Sequence, residues 1–380
     1  MKYTSESIKL QNFIDKRIDV DTEPLTMEAK RALVPIFQQM DAANEAYKAA
    51  TFSRVSRPVF EPEHVPHEIK KLLSSCSRNY VAQFRIHHRT ITVSINAPSL
   101  SVSFVKQCVH RIFVWLHVAS AYAHRGCSNN LNIHLYLTEH TKQLCETDVL
   151  GEVNVNTAYT FACRLQSAAP ANICIFRMEE WFKVFIHETF HSLGLDFSSM
   201  TGSTADAKIR ELFSIRTDIR TYEAYAETWA EILHSVFVSF HSTQSKTNYE
   251  LMFRKLNHLL DVETRFSLFQ CAKVLRYNNV TYQQLRKPNV YQEDSNIFAY
   301  YVLKTILMYN KNKFIEWCSA NNTVLLDFNK TTEGVASFCG LFRSLYLERH
   351  FIDALADMEL VRTTSGFQKS TLRMTAIELA

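Results

Sequence analysis

Glycine and proline are scarce in this chain of 380 residues, at seven and eight, well below average usage. That leaves little material for glycine-rich phosphate loops, and neither G-x-x-x-x-G-K nor G-x-G-x-x-G occurs. An excess of one charge is missing too. The 42 basic and 38 acidic residues give a net +4, and no run of five like charges appears. That balance gives no support to a nucleic-acid or membrane-surface role, and no basic stripe with interleaved aromatics is evident. The most apolar run, Ile112 to Ala119, is broken by His117 and is too short to span a bilayer. The opening residues Met1-Lys2-Tyr3-Thr4-Ser5 hold no apolar signal-peptide core. No C-x-x-C pair exists. The nine cysteines (Cys76, Cys108, Cys127, Cys145, Cys163, Cys174, Cys271, Cys318, Cys339) are scattered and odd in number, so they read as reduced, mostly buried thiols. The expectation is an intracellular, cytoplasmic protein with neither a membrane nor a nucleic-acid partner.

What is present is enough apolar material, 47% of residues, for a large core, and the length suggests two or three domains or one large domain with subdomains. Four segments suggest themselves. Residues 1–75 look like a helical extension in which Thr26 caps a helix from Met27, with Pro35 ending or kinking it early. Residues 57–66 hold three prolines and read as a connector. Residues 76–197 mix strands and helices. Tyr80–Ile86 and Thr90–Ile95 alternate around His87-His88-Arg89 as a hairpin, Ser101–His124 has helical spacing, and Leu131–Thr138, Val153–Phe161 and Ile173–Arg177 read as strands. Residues 198–340 begin with a polar loop, Ser198–Asp206, and continue as helices over 211–220, 222–240, 250–277 and 296–309. Residues 341–380 complete a helical run over 338–360 and end in a polar tail, 363–370. The order predicts a layered α+β fold.

The chemistry-bearing stretch is Val184-Phe185-Ile186-His187-Glu188-Thr189-Phe190-His191-Ser192-Leu193-Gly194. Residues four apart on a helix lie nearly above one another, so His187 and His191 can grip one Zn2+ ion. Glu188, about 100° round the helix, is placed to hold a water on that ion and take its proton, the role that H-E-x-x-H assigns its glutamate. Glu179 and Glu180 suit the positive end of the helix dipole. Other histidines carry less. His87 and His88 are neighbours on a turn, and His110, His117 and His124, seven residues apart, stand about 10 Å from one another and cannot share an ion.

A catalytic zinc takes three protein ligands. The H-E-x-x-H-x-x-G-x-x-H continuation finds Gly194 in place but Phe197 where a histidine belongs, with Asp196 one residue early. The stronger candidate is Tyr222-Glu223-Ala224-Tyr225-Ala226-Glu227-Thr228-Trp229-Ala230-Glu231, where Glu223 and Glu227 fall on one helix face. One carboxylate could bind the metal and the other accept the N–H of a ligating histidine. The bland alternative is a pair of solvent-facing carboxylates.

This pairing of helices resembles the gluzincin metallopeptidases, and the Glu223–Ala230 run is especially similar to the anthrax lethal factor class. The resemblance covers roughly residues 100 to 240. It implies a zincin-like core with a small mixed sheet and an active-site helix, hydrolysis of a polypeptide substrate by a glutamate-activated zinc-bound water, Glu223 as third ligand and Glu227 as partner of His187. It also casts Asn156, Thr157, Ala158 and Tyr159 as an edge strand aligning the substrate. The oxyanion-stabilising group is sought among Tyr222, Tyr225, Tyr159, Tyr300 and His234, with Tyr222 beside the ligand assigned as catalytic. Arg216 stands where the lethal-factor-like tyrosine would be. Residues 179–198 are also similar to uncharacterised H-E-x-x-H proteins of large DNA viruses of eukaryotes, which implies host cytoplasm or virion. The competing expectation is a zinc-containing scaffold without activity.

Overall fold

The computed structural model describes residues 2–144, 149–165, 167, 169–200 and 203–380. They form fourteen α-helices and one five-stranded mixed sheet, so the α+β expectation holds in its coarse form. None of these helices is long and apolar enough to cross a membrane. The chain divides into two compact units, one built from residues 34–142 and 156–199, the other from 1–33, 143–155 and 200–380.

The first unit holds the sheet. Strands β1 (Arg78–Ile86) and β2 (Arg89–Ala97) form the expected hairpin, and His87 takes a positive φ of 52° in its two-residue turn, as such turns demand. With β3 (Asn130–Tyr136), β4 (Ala158–Thr160) and β5 (Ala171–Ile175) the order is β1-β2-β3-β5-β4. The outer pairs are antiparallel and the inner ones parallel. Period-2 alternation gives the sheet an apolar side, where Ala82, Val93, Ile133 and Ile173 share a row, and helix Val102–Tyr122 lies there, its Phe113 ring 5.4 Å from Phe84. The opposite side is polar. Its row Ser94, His134, Cys174, Tyr159 is met by the proline-rich connector, with Phe60 stacked on His134 at 3.8 Å and Arg57 donating to the Tyr136 hydroxyl at 2.6 Å.

Several expectations fail here. Cys127 and Cys163 are joined in a disulfide, so only six of the described cysteines are free thiols, all of them buried. Cys145 lies outside the described residues, as does Gly202. The run 153–161 is not one strand. Glu152–Val155 is a helical turn and only Ala158–Thr160 pairs, at the sheet edge. Helix Met27–Ala49 is capped by Thr26, whose Oγ1 accepts from the Ala29 N–H at 3.1 Å, and it does not end at Pro35. The lost hydrogen bond is outweighed by the stripe Ala29, Leu33, Ile36, Phe37, Met40 and Ala43, all buried.

The second unit is helical. Thr221–Ser242 and Tyr249–Tyr277 are its long members, close to expectation. Residues 211–220 are not helical; the short helix instead covers Ser203–Arg210. The run 338–360 is two helices, Thr332–Leu345 and Arg349–Leu360. A π-helical segment, Phe298–Leu303, opens the Lys304–Tyr309 helix. The polar tail is ordered. Ser365 and Gln368 make a capping box for Gly366–Ser370, and Leu372 to Ile377 are buried. They close on Glu263, which accepts from Thr375 Oγ1 at 2.6 Å and from the Ala376 and Ile377 N–H groups at 2.8 Å each.

Candidate metal centre

The histidine helix, Trp181–Ser192, is buried over its whole length, as its aromatic and branched residues predict. Glu179 and Glu180 precede it rather than occupying its first turn. Glu180 holds a left-handed φ of 61° and pairs through Oε2 with Lys142 Nζ at 2.8 Å, while Glu179 Oε2 accepts the Lys142 N–H at 2.6 Å. These carboxylates are therefore anchors of the helix start. Trp115 Nε1 donates to Thr189 Oγ1 at 2.7 Å, which fixes the helix against Val102–Tyr122.

The other end closes as a Schellman motif. Leu195 N–H bonds Phe190 O at 2.7 Å and Gly194 N–H bonds His191 O at 3.1 Å, with Gly194 at φ 65°. A Cβ on Gly194 would stand 3.1 Å from Cys127 Sγ and 3.1 Å from Cys163 Cβ, so conformation and space both call for glycine. The reversal at Gly194 brings Asp196 back onto the helix. Its Oδ2 lies 2.5 Å from His191 Nδ1, while Oδ1 accepts from Ser198 Oγ at 2.7 Å.

With Nδ1–H donating to Asp196, His191 presents a lone pair at Nε2, and that atom lies 3.1 Å from Nε2 of His187. Two nitrogens held at zinc distances of about 2.0–2.1 Å with a near-tetrahedral angle stand roughly 3.1–3.4 Å apart. The imidazoles therefore have the spacing of two ligands on one ion. Candidate ligand atoms of His187, His191 and Glu223 all lie within 4.8 Å of one another, and the three residues are buried. This donor set could hold a metal ion. No family model, curated protein or solved structure matches the chain.

Glu223 sits in the first turn of the glutamate helix, Thr221–Ser242. That helix is anchored by Asp206, whose Oδ1 accepts from Thr221 N–H and Oγ1 at 3.0 and 2.8 Å, and whose Oδ2 accepts the Arg220 N–H at 3.1 Å. Glu223, Glu227 and Glu231 are 7%, 2% and 0% exposed. The solvent-facing alternative is thus excluded. Carboxylates this deep need partners, and Glu231 has one in Lys304 Nζ, 3.8 Å away.

The remaining assignments are placed as follows. Glu188 is 6% exposed, and its charge adds to burial in raising the Cys174 thiol. Tyr222 is partly exposed beside Glu223. Tyr225 is buried among Phe314, Phe328 and Phe338 and its hydroxyl accepts from Asn322 at 2.8 Å, which is a packing role. Tyr159 faces His64 and Cys174, with burial pushing its phenol well up. The carbonyls of Asn156 and Thr157 are taken by Arg177 Nε at 2.7 Å and the Phe176 N–H at 2.9 Å, so of the four alignment residues only Ala158 and Tyr159 lie in the strand. Asp196, entertained as a ligand, instead orients His191, and Phe197 is buried at 1%. His110 bonds Asn44 at 2.9 Å, His117 packs on His87, and His88 meets the Arg125 carbonyl. None of them joins the centre. Sequence reasoning missed Asp206 and the disulfide.

Proposed function

We propose that the chain is a zinc-dependent metallopeptidase with a zincin-like core, acting on a polypeptide. The observation that carries this is the convergence of two buried imidazole Nε2 atoms 3.1 Å apart, with Glu223 in the same cluster and Glu188 on the same helix as the histidines. Zinc there would supply a Lewis acid for the activation of water and of a substrate carbonyl. His187, His191 and Glu223 are the residues that would hold the ion. Asp196 fixes the His191 tautomer so that Nε2 faces the ion. Glu227, one turn further along the helix that carries Glu223, is the carboxylate we assign to His187. Glu188 accepts the proton of the attacking water and returns it to the leaving amine. Tyr222 donates to the developing oxyanion. Ala158–Thr160, an edge strand, aligns an extended chain through its backbone.

Zinc per chain and hydrolysis of a peptide library are the paired measurements. Glu188→Gln should keep one zinc and lose activity by about 100-fold or more. His191→Ala and Glu223→Ala should lose the metal, and Asp196→Asn should weaken it by about 10–100-fold. Full zinc content in Glu223→Ala removes that residue from the site. Zinc retained with no peptide cut by the wild type favours a metal-stabilised scaffold.

A further inference from the structure

The disulfide sits against the end of the histidine helix. Cys163 N–H donates to His191 O at 2.9 Å, and Ser128 Oγ donates to Ser192 O at 2.5 Å. The two segments that satisfy the helix's last carbonyls are thus the two that the Cys127–Cys163 bond ties together. The same bond forms the surface on which Gly194 rests, and Gly194 makes the turn that delivers Asp196 to His191. One covalent link therefore supports both the carbonyl side and the Asp196 side of a proposed metal ligand.

Its two sulfurs are not equally reachable. Cys127 is 2% exposed, whereas Cys163 is partly exposed and lines a cavity of about 360 Å³ together with Ser128, Asn129, Arg164, Ala171, Asn172 and Ser192. Arg164 is a cation at that cavity, which favours approach of a thiolate. Exchange is decided by which sulfur can be attacked.

We infer that Cys127–Cys163 is a thiol–disulfide exchange site attacked at Cys163, and that its opening loosens the end of the histidine helix and weakens metal binding; the second half rests on the metal-site reading above. A thiolate of an external dithiol attacks Cys163 Sγ. The S–S bond breaks, and its electron pair leaves with Cys127, which takes up a proton. The second thiolate of the dithiol then attacks its own sulfur in the mixed disulfide and frees Cys163 as thiolate, which is protonated in turn. The protein disulfide gains two electrons and the dithiol is oxidised to its cyclic disulfide. With the bond open, the surface beneath Gly194 divides and Asp196 is held less firmly.

The native, oxidised chain is incubated with glutathione, free thiols are blocked, and peptides are mapped by mass. Glutathione should be found on Cys163 and the blocking group on Cys127. The adduct on Cys127, or an adduct only after denaturant is added, overturns the order of attack. Zinc affinity is then compared, by chelator competition, between oxidised protein and protein reduced on an immobilised dithiol that is removed before the measurement. The reduced form should bind about 10-fold more weakly; equal affinity overturns the coupling. A Cys127→Ser/Cys163→Ser chain should match the reduced form, and reduced wild type carries the test should that variant not fold. If neither form binds zinc, it is the metal reading that fails, and hydrogen exchange over residues 193–197 decides instead. Faster exchange on reduction supports the coupling, and unchanged exchange overturns it.

Discussion

The two nitrogens of His191 are given opposite duties by what each faces: Nδ1–H donates to Asp196, and Nε2 is left to the cluster. His134 shows what a buried imidazole does without a carboxylate. It is fully buried, stacked on Phe60, and burial, only partly offset by its bond to Asn172, lowers it to about 4. Between pH 4 and its ordinary 6.5 the unfolded chain binds a proton that the folded chain refuses, so stability falls as pH drops through that window. At 1.36 kcal/mol per pH unit the full effect is about 3 kcal/mol. Urea unfolding at pH 6.5 and 4.5 should show about 2 kcal/mol of this loss in the wild type, and His134→Asn should flatten it; an unchanged slope places the acid sensitivity elsewhere. His187, His191 and Glu223 were legible as residues because helical spacing turns sequence distance into direction. Asp196 was legible only as a possible ligand. Its partnership depends on a chain reversal that spacing along a helix does not describe.

At the scale of elements, helix interiors followed from periodicity and helix ends did not. Both helices of the centre are entered through a non-glycine residue at positive φ, Glu180 at 61° and Arg220 at 48°, with no side-chain cap. The anchors come from elsewhere in the chain, Lys142 for one and Asp206 for the other. Such non-local anchors leave no local signature, which is why dipole reasoning puts Glu179 and Glu180 in the first turn and why 211–220 reads as helix in the sequence. The exit of the histidine helix is the exception, since Gly194 announces it. Gly194→Ala should cost about 2 kcal/mol or more, from the left-handed φ alone and then from the two 3.1 Å approaches. Gly366→Ala, with nothing within 4 Å of the added carbon, should stay within about 0.5 kcal/mol. Chemical unfolding of the pair checks the contrast, and equal effects would mean that the disulfide surface yields freely.

For the whole molecule, composition foresaw a large core but misjudged what completes it. The stretch after Thr363 looks polar, yet the chain beyond it supplies three donors to the fully buried Glu263. Polarity in a sequence does not say whether a backbone N–H meets solvent or a carboxylate more than a hundred residues away. A chain ending at Arg373 would leave that carboxylate uncompensated, at a cost of about 3–5 kcal/mol. Its melting temperature should fall sharply and its soluble yield with it; an unchanged melt would mean that Glu263 is satisfied without the tail. Cysteine count likewise could not reveal a pairing across 36 residues. The interleaving of the two units has a consequence for how the protein is made. Unit 34–142 with 156–199 has all its residues once Ser199 leaves the ribosome. The first 33 residues do not. Thr22, Leu25 and Thr26 bond to Asp261, Asn257, Asn312 and Glu316, and Phe13 packs on Phe269, so during synthesis this segment must wait, with Leu10, Phe13 and Ile14 uncovered, for more than two hundred residues to be added.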